Sequence, residues 1–130
     1  MGTTDKFLES EAKRLKLKNF RGVFMSDELP KKPKKNECGI INLESSKLEG
    51  SHWCCWWKSN NDKYYFDSYG ILPPKQIVKY LKSPINYSTF QLQTFNDSTC
   101  GEWCLYMLNE LSKGNNYKDI ILKIINKDTF

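Results

Sequence analysis

One stretch of this chain restricts its fold more than any other. Residues 51–58 read SHWCCWWK and place apolar side chains on both faces of any strand they form. A strand covered on both faces belongs in the interior of a sheet. The polar residues 59–62 favour a turn, and residues 63–67, KYYFD, resume an extended pattern. The sequence therefore predicts a β-hairpin at the centre of a sheet.

Helical and extended patterns alternate around this hairpin. Helices are predicted over residues 4–18, 73–82, 100–112 and 117–126. Further strands are predicted over residues 20–24, 39–43 and 89–94, and the Pro- and Lys-rich residues 29–35 form a loop. This order predicts an α+β fold in which helices flank a small central mixed sheet. We expect a single domain over residues 1–130.

Composition and charge narrow the class of protein. Hydrophobic residues make up 39% and charged residues 27% of the 130 residues, as is typical of a soluble globular protein. The chain has no apolar run of about 18 residues and no apolar signal segment at its start. We therefore expect an intracellular monomer without membrane contact.

A net charge of +5 is concentrated in the first third of the chain. This basic cluster comprises Lys13, Arg14, Lys16, Lys18, Arg21, Lys31, Lys32, Lys34 and Lys35. Such a cluster can attract nucleic acid or another polyanion. It can equally form a solvated face and a charged loop.

Five cysteines are present, namely Cys38, Cys54, Cys55, Cys100 and Cys104. An odd number without a signal segment argues against a disulfide framework. No two cysteines have the C-x-x-C spacing, which argues against a zinc site, so we expect no metal.

Cys100 is the cysteine whose position suggests reactivity. It follows a polar turn and opens an apolar helix, where unpaired N–H groups and the helix dipole favour the thiolate. Gly101 would let a substrate backbone approach closely. Cys104 lies one turn further along the helix and is expected in the core. A buried, unreactive Cys100 is the alternative interpretation.

The hairpin supplies a candidate base and a residue to orient it. His52 is the only histidine, and Asp67 ends the strand that pairs with the strand of His52. A carboxylate in this position can accept from Nδ1–H of the histidine and fix its tautomer. A structural histidine and a turn-capping aspartate remain possible on the same pattern.

Three further residues are candidates for contact with substrate. Gln93 lies seven residues before Cys100 and could donate to an oxyanion together with the Cys100 N–H. Gln91 has the same strand parity and is a weaker candidate. Trp53 is a tentative substrate-binding residue, with core packing as its alternative.

These residues occur within segments that resemble the adenain-like cysteine proteases. This family includes the adenovirus maturation protease and proteases of virophages and Polinton-type elements. The segments are GVFMSDELP (22–30), ECGIINLE (37–44), GSHWCCWWK (50–58), YYFDSYGILPPKQIVKYL (64–81) and QTFNDSTCGEWCLYML (93–108). Their motifs occur in the family's order: G-x-H-W, then Y-F-D-S-Y-G with P-P, then Q-x6-C-G.

The resemblance implies a Cys-His-Asp triad of Cys100, His52 and Asp67, with Gln93 in the oxyanion hole. It further implies cleavage after glycine in viral capsid or core precursors, in the virion or the infected cell. The adenovirus enzyme has a glutamate where this chain has Asp67. That enzyme uses DNA and a peptide as activators, and this chain lacks most of its C-terminal region. DNA or peptide activation is therefore an open expectation.

Two other classes of function fit the same residues. The ubiquitin-like-protein proteases share the order of the triad, so a deubiquitinase or SUMO-like isopeptidase is one alternative. A non-enzymatic protein that binds nucleic acid through its basic residues is the other.

Overall fold

The computed structural model describes residues 4–43, 52–91 and 99–128 and gives an α+β fold. Its strands are β1 (Phe20–Met25), β2 (Asn36–Asn42), β3 (Trp53–Ser59), β4 (Asp62–Phe66) and β5 (Asn86–Tyr87). Its helices are α1 (Asp5–Arg14), α2 (Lys75–Leu81), α3 (Cys100–Ser112) and α4 (Tyr117–Asp128). The predicted class, a small mixed sheet flanked by helices, is confirmed.

The sheet has the spatial order β1-β2-β3-β4-β5. The pairs β1–β2 and β4–β5 are parallel, whereas β2–β3 and β3–β4 are antiparallel. The interior position predicted for β3 is therefore confirmed. The hairpin turn is tighter than predicted, because Ser59 pairs with Asp62 and Asn60 adopts a positive φ of 55°. Asparagine tolerates this left-handed conformation better than most residues.

Helices cover the sheet on both faces. Residues of α1, α3 and α4 pack with Trp53 and Cys55 in one core, and residues of α2 pack with Cys54 and Trp56 in the other. Alternate side chains of a strand point to opposite faces, so β3 contributes to both cores in turn. This explains why β3 is apolar at successive positions.

Helix boundaries agree with the sequence to different degrees. Helix α3 begins at Cys100 and ends at Ser112, as predicted. Helix α1 is capped by Thr4, whose Oγ1 accepts from the Phe7 N–H at 3.1 Å, but it ends at Arg14 rather than residue 18. Lys16 stops it by adopting a positive φ of 55°. Among the described helices, none is both long and apolar enough to cross a membrane.

The strand predicted over residues 89–94 is wrong in its described part. Residues 89–91 are not extended in a ladder, and residues 92–94 lie outside the described ranges. The fifth strand is instead β5, which runs parallel to β4. Two hydrogen bonds hold β5 beside β4 where the chain returns from α2. Lys63 Nζ donates to the Lys82 carbonyl, and Asn86 Nδ2 donates to the Lys63 carbonyl.

A buried carboxylate joins the sheet to α2 and to the loop before β2. Glu37 is 1% exposed and accepts from the Lys34 N–H at 2.6 Å and from Arg21 Nη1 at 2.7 Å. It also accepts from Trp56 Nε1 at 2.8 Å and from the Tyr80 hydroxyl at 2.7 Å. Four donors compensate the loss of hydration that a buried charge suffers.

Candidate active site

His52 and Asp67 meet at one end of the central hairpin. His52 directly precedes β3 and Asp67 directly follows β4, and the pairing of Cys55 with Phe66 brings these two ends together. Nε2 of His52 lies 2.8 Å from Oδ1 of Asp67, and both residues are buried. His52 and Asp67 therefore lie close together, as the sequence predicted. The predicted nitrogen was wrong, because the strand register fixes the distance between the residues but not the rotation of the ring.

Tyr69 fixes the plane of the His52 ring. The two rings stack with centroids 3.9 Å apart and planes inclined by 4°. The Tyr69 N–H donates to Asp67 Oδ1 at 2.8 Å, so one carboxylate oxygen accepts from both His52 and Tyr69. The sequence reasoning missed Tyr69, although an aromatic residue two positions after an aspartate is a usable signal. Aspartate often accepts from the N–H two residues on.

Gly70 completes the turn that follows Asp67. Its N–H donates to the Asp67 carbonyl at 2.9 Å, and its φ is +74°. A Cβ at this position would lie 2.5 Å from the carbonyl oxygen of Thr89. Only glycine satisfies both the backbone conformation and the close approach. The turn is thus held against the segment that follows β5.

Cys100 lies on the α3 side of the sheet, at the same end of the hairpin as His52. It is the first residue of α3 and is 2% exposed. Its Sγ accepts from the Trp53 N–H at 3.3 Å. The peptide group that contacts the sulfur therefore belongs to the residue directly after His52.

The environment of His52 favours its protonated form. Burial lowers its pKa, but the hydrogen bond to Asp67, followed by the influence of the neighbouring Cys100, outweighs burial and raises the pKa to about 9. Nδ1 is buried and has no partner that meets hydrogen-bond geometry within the described residues, whereas Nε2 is occupied by Asp67. The nitrogen available to exchange a proton with Cys100 is therefore Nδ1.

The remaining predicted site residues are placed as follows. Trp53 is 4% exposed and lies in the core beneath α3, which favours packing over contact with substrate through its side chain. Gly101 is buried as the second residue of α3. Gln93 lies outside the described residues, and Gln91 is exposed at the end of the described segment 52–91. The substrate and oxyanion roles of these residues stay predictions.

A group of metal-binding residue types includes part of this site. The ligand atoms of His52, Cys54 and Asp67 lie within 4.8 Å of one another. Burial, followed by the charge of Asp67, raises the pKa of the Cys54 thiol well above its usual value, which opposes the thiolate that a metal would need. His52 and Asp67 are also bonded to each other. We assign no metal to these residues.

Part of the basic cluster lines a groove away from these residues. The groove has a volume of about 790 Å³ and lies between α1 and β1. Its charged lining consists of Lys6, Glu9, Lys13, Lys16 and Arg21. Binding of DNA by the basic cluster stays a prediction.

Comparison with known proteins gives a result at the level of structure. No protein-family model and no curated protein matches the sequence. The crystal structure of ASFV pS273R protease matches with a TM-score of 0.65 and 14% identity, over 90% of this chain and 60% of that one. The two proteins therefore share this α+β fold. A selenomethionine structure of the same protease gives a TM-score of 0.60, 15% identity and coverage of 90% and 61%.

This likeness concerns the fold, and its extent is limited. The chain spans about 60% of the length of the protease structures it matches. The shared architecture supports a protease fold for this chain, as the sequence predicted.

Proposed function

We propose that this chain is a cysteine endopeptidase, formed by one domain over residues 1–130. Cys100 is the nucleophile, His52 the general base, and Asp67 the residue that orients the base. The observation that carries the proposal is the convergence of three residues, because His52 Nε2 lies 2.8 Å from Asp67 Oδ1 and the Cys100 sulfur lies 3.3 Å from the main-chain nitrogen of Trp53, the residue directly after His52. The fold that this chain shares with ASFV pS273R protease also supports the assignment as a peptidase.

The first half of the reaction forms an acyl-enzyme. The proton of Cys100 passes to Nδ1 of His52, and the thiolate attacks the carbonyl carbon of the scissile bond. The carbonyl electrons move to oxygen, and the Cys100 N–H and the amide of Gln93 donate to the resulting oxyanion. When the intermediate collapses, the C–N bond breaks and the amine takes the proton from Nδ1. A thioester to Cys100 remains.

The second half returns the enzyme to its starting state. His52 removes a proton from water, and the hydroxide attacks the thioester carbonyl. Collapse breaks the C–S bond and releases a carboxylic acid, which loses its proton to solvent, and the sulfur leaves as the thiolate beside imidazolium. Throughout both steps, Asp67 holds Nε2 and so keeps Nδ1 directed at the sulfur.

The proposed substrates are viral capsid or core precursors cleaved after glycine, in the virion or the infected cell. This part rests on the motifs G-x-H-W, Y-F-D-S-Y-G and Q-x6-C-G, which resemble those of adenain-like proteases. The basic groove between α1 and β1 supports a subsidiary proposal that DNA increases the activity.

Labelling with a vinyl-sulfone probe that ends in Gly-Gly tests the nucleophile. Mass spectrometry of the labelled chain should show one adduct, on Cys100, which disappears in His52→Ala. Cys104→Ala is the matched control, because Cys104 lies one turn further along α3 and is fully buried. Equal labelling of several cysteines, or none with and without DNA, would contradict the proposal.

Substrate competition separates the proposal from the two alternatives. A peptide from a capsid precursor with an internal glycine site should be cleaved faster than a ubiquitin-like fusion. The reverse order would favour an isopeptidase. DNA binding by both wild type and Cys100→Ala, without cleavage of any substrate, would favour the non-enzymatic alternative. Gln93→Ala should lower kcat by about 10²–10³-fold if the residue donates to the oxyanion.

A further inference from the structure

Cys54 lies beside Asp67 on the face of the sheet that α2 covers. Cys55 pairs with Phe66, so the next step along the ladder sets Cys54 opposite Asp67. His52, two residues before Cys54, has the same parity. The Cys54 sulfur lies within 4.8 Å of ligand atoms of both His52 and Asp67. A thiol is therefore packed against the His52–Asp67 pair from within the core.

Tyr65 belongs to the same buried group. It lies two residues before Asp67 on β4 and packs in the same core as Cys54. Its hydroxyl and Oδ2 of Asp67 are both buried, and neither has a partner of full hydrogen-bond geometry in the described part of the chain. Oδ1 of Asp67, in contrast, already accepts two hydrogen bonds. A buried carboxylate oxygen without a donor is costly, so Oδ2 requires one.

The chemistry of Cys54 and Tyr65 fits the role of donors. Burial, followed by the charge of Asp67, raises the pKa of Cys54 well above its usual value, so the thiol keeps its proton at neutral pH. Burial, followed by the neighbouring Cys54, likewise raises the pKa of Tyr65. Both side chains therefore carry a hydrogen that can be donated.

We propose that Cys54 and Tyr65 are positioning residues for the proposed triad. The Tyr65 hydroxyl donates to the Cys54 sulfur, and the Cys54 thiol donates to Oδ2 of Asp67. Small rotations of the two side chains bring these hydrogens into line. With Oδ2 held by Cys54, and Oδ1 by His52 and Tyr69, the carboxylate cannot rotate away from the ring. The inference rests on the proposed function for its catalytic meaning but can be tested without activity.

The titration of His52 gives the test that is independent of activity. His52 is the only histidine, so its ring signals in an NMR spectrum need no assignment. The titratable groups around the ring are Asp67, Cys100 and the stacked Tyr69, and those around Cys54 are Asp67, Tyr65 and the adjacent residue Cys55. In Cys54→Ala, the pKa of His52 should fall by about half a pH unit or more, because a loosened carboxylate bonds Nε2 less well. Tyr65→Phe should lower it less.

Cys55→Ala is the matched control. Cys55 is the next residue on β3 and is equally buried, but its side chain points to the α3 face. Both substitutions remove the same atoms from a core, so their melting temperatures should fall comparably. Only Cys54→Ala should move the titration of His52. Equal effects of the two variants on the titration would overturn the proposal.

Cys54→Ser tests whether a hydrogen-bond donor at this position is enough to preserve the titration of His52 and the activity. Serine keeps a donor of similar size at this position, so the titration of His52 and kcat/KM should stay within about threefold of wild type. In Cys54→Ala, kcat/KM should fall about tenfold. If the serine and alanine variants behave alike, the side chain acts through packing and the proposal is wrong.

The two proposals fail in different ways. If wild type neither cleaves substrate nor labels at Cys100, the proposed function fails, while the titration still tests Cys54. If wild type is active but Cys54→Ala leaves both the titration and kcat/KM unchanged, only the inference about Cys54 fails.

Discussion

The main-chain N–H of Trp53 lies 3.3 Å from the sulfur of Cys100. Trp53 directly follows His52, so the start of β3 positions both the base and a donor to the nucleophile. The side chains of Trp53 and Cys100 also share the core beneath α3. A displacement of β3 against α3 would therefore disturb the proposed catalytic pair twice, through the imidazole and through the N–H.

Asp67→Asn should reduce activity without unfolding the protein. The amide cannot hold the histidine in its protonated form or in one tautomer, so we expect kcat/KM to fall about a hundredfold or more. The loss should be smaller than in Cys100→Ala. Asp62→Asn at the exposed start of β4 is the control and should leave the rate unchanged. A fully active Asp67→Asn would remove Asp67 from the triad.

Tyr69→Leu should lower the pKa of His52. A stacked aromatic ring stabilises a cation through its π electrons, by about 1 kcal/mol, which corresponds to about one pH unit. NMR titration of the single histidine measures this shift. Tyr69→Phe keeps the ring and should titrate as wild type does. If the leucine and phenylalanine variants titrate alike, stacking does not support the imidazolium.

The stability of the protein should fall at alkaline pH through His52. Its pKa is raised from 6.5 to about 9, so the folded state binds this proton more tightly than the unfolded state. The contribution is complete below about pH 6.5 and is lost as the pH rises through about 9. Its upper limit is about 3 kcal/mol.

Urea unfolding of wild type and His52→Gln at pH 6 and pH 9.5 measures this contribution. Buried cysteines also titrate on unfolding, so only the difference between the two proteins isolates His52. Between these two pH values, the free energy of unfolding of wild type should fall by up to about 3 kcal/mol more than that of the variant. An equal loss in both proteins would show that the folded state does not favour the imidazolium.

Glu37→Ala should strongly destabilise the fold. It leaves four donors, from Arg21, Lys34, Trp56 and Tyr80, without their common acceptor, and those of Trp56 and Tyr80 are buried. The expected loss is about 3–5 kcal/mol in the free energy of unfolding, measured with urea. Glu28→Ala is the control, because Glu28 is exposed and accepts only from the Met25 N–H among the described contacts. Comparable losses would mean that the buried network contributes little.

The sequence alone determined those features that depend on local pattern. The bounds of α3 follow from the polar residues that precede Cys100 in the sequence and from the apolar residues that follow it, and both features lie within one segment. The hairpin of β3 and β4 joins strands that are adjacent in the chain, so its register brings His52 and Asp67 together without any distant contact. Short-range periodicity and turn residues suffice for such elements.

Tertiary structure decided what depends on segments that are distant in the chain. The plane of the His52 ring follows from stacking on Tyr69, and the place of β5 follows from the path of α2 beside β4. The Cys100 sulfur meets the Trp53 N–H across 47 positions of sequence. Periodicity records which face of an element is buried, but not which distant group packs against it. Those partners are selected only when all elements share one core.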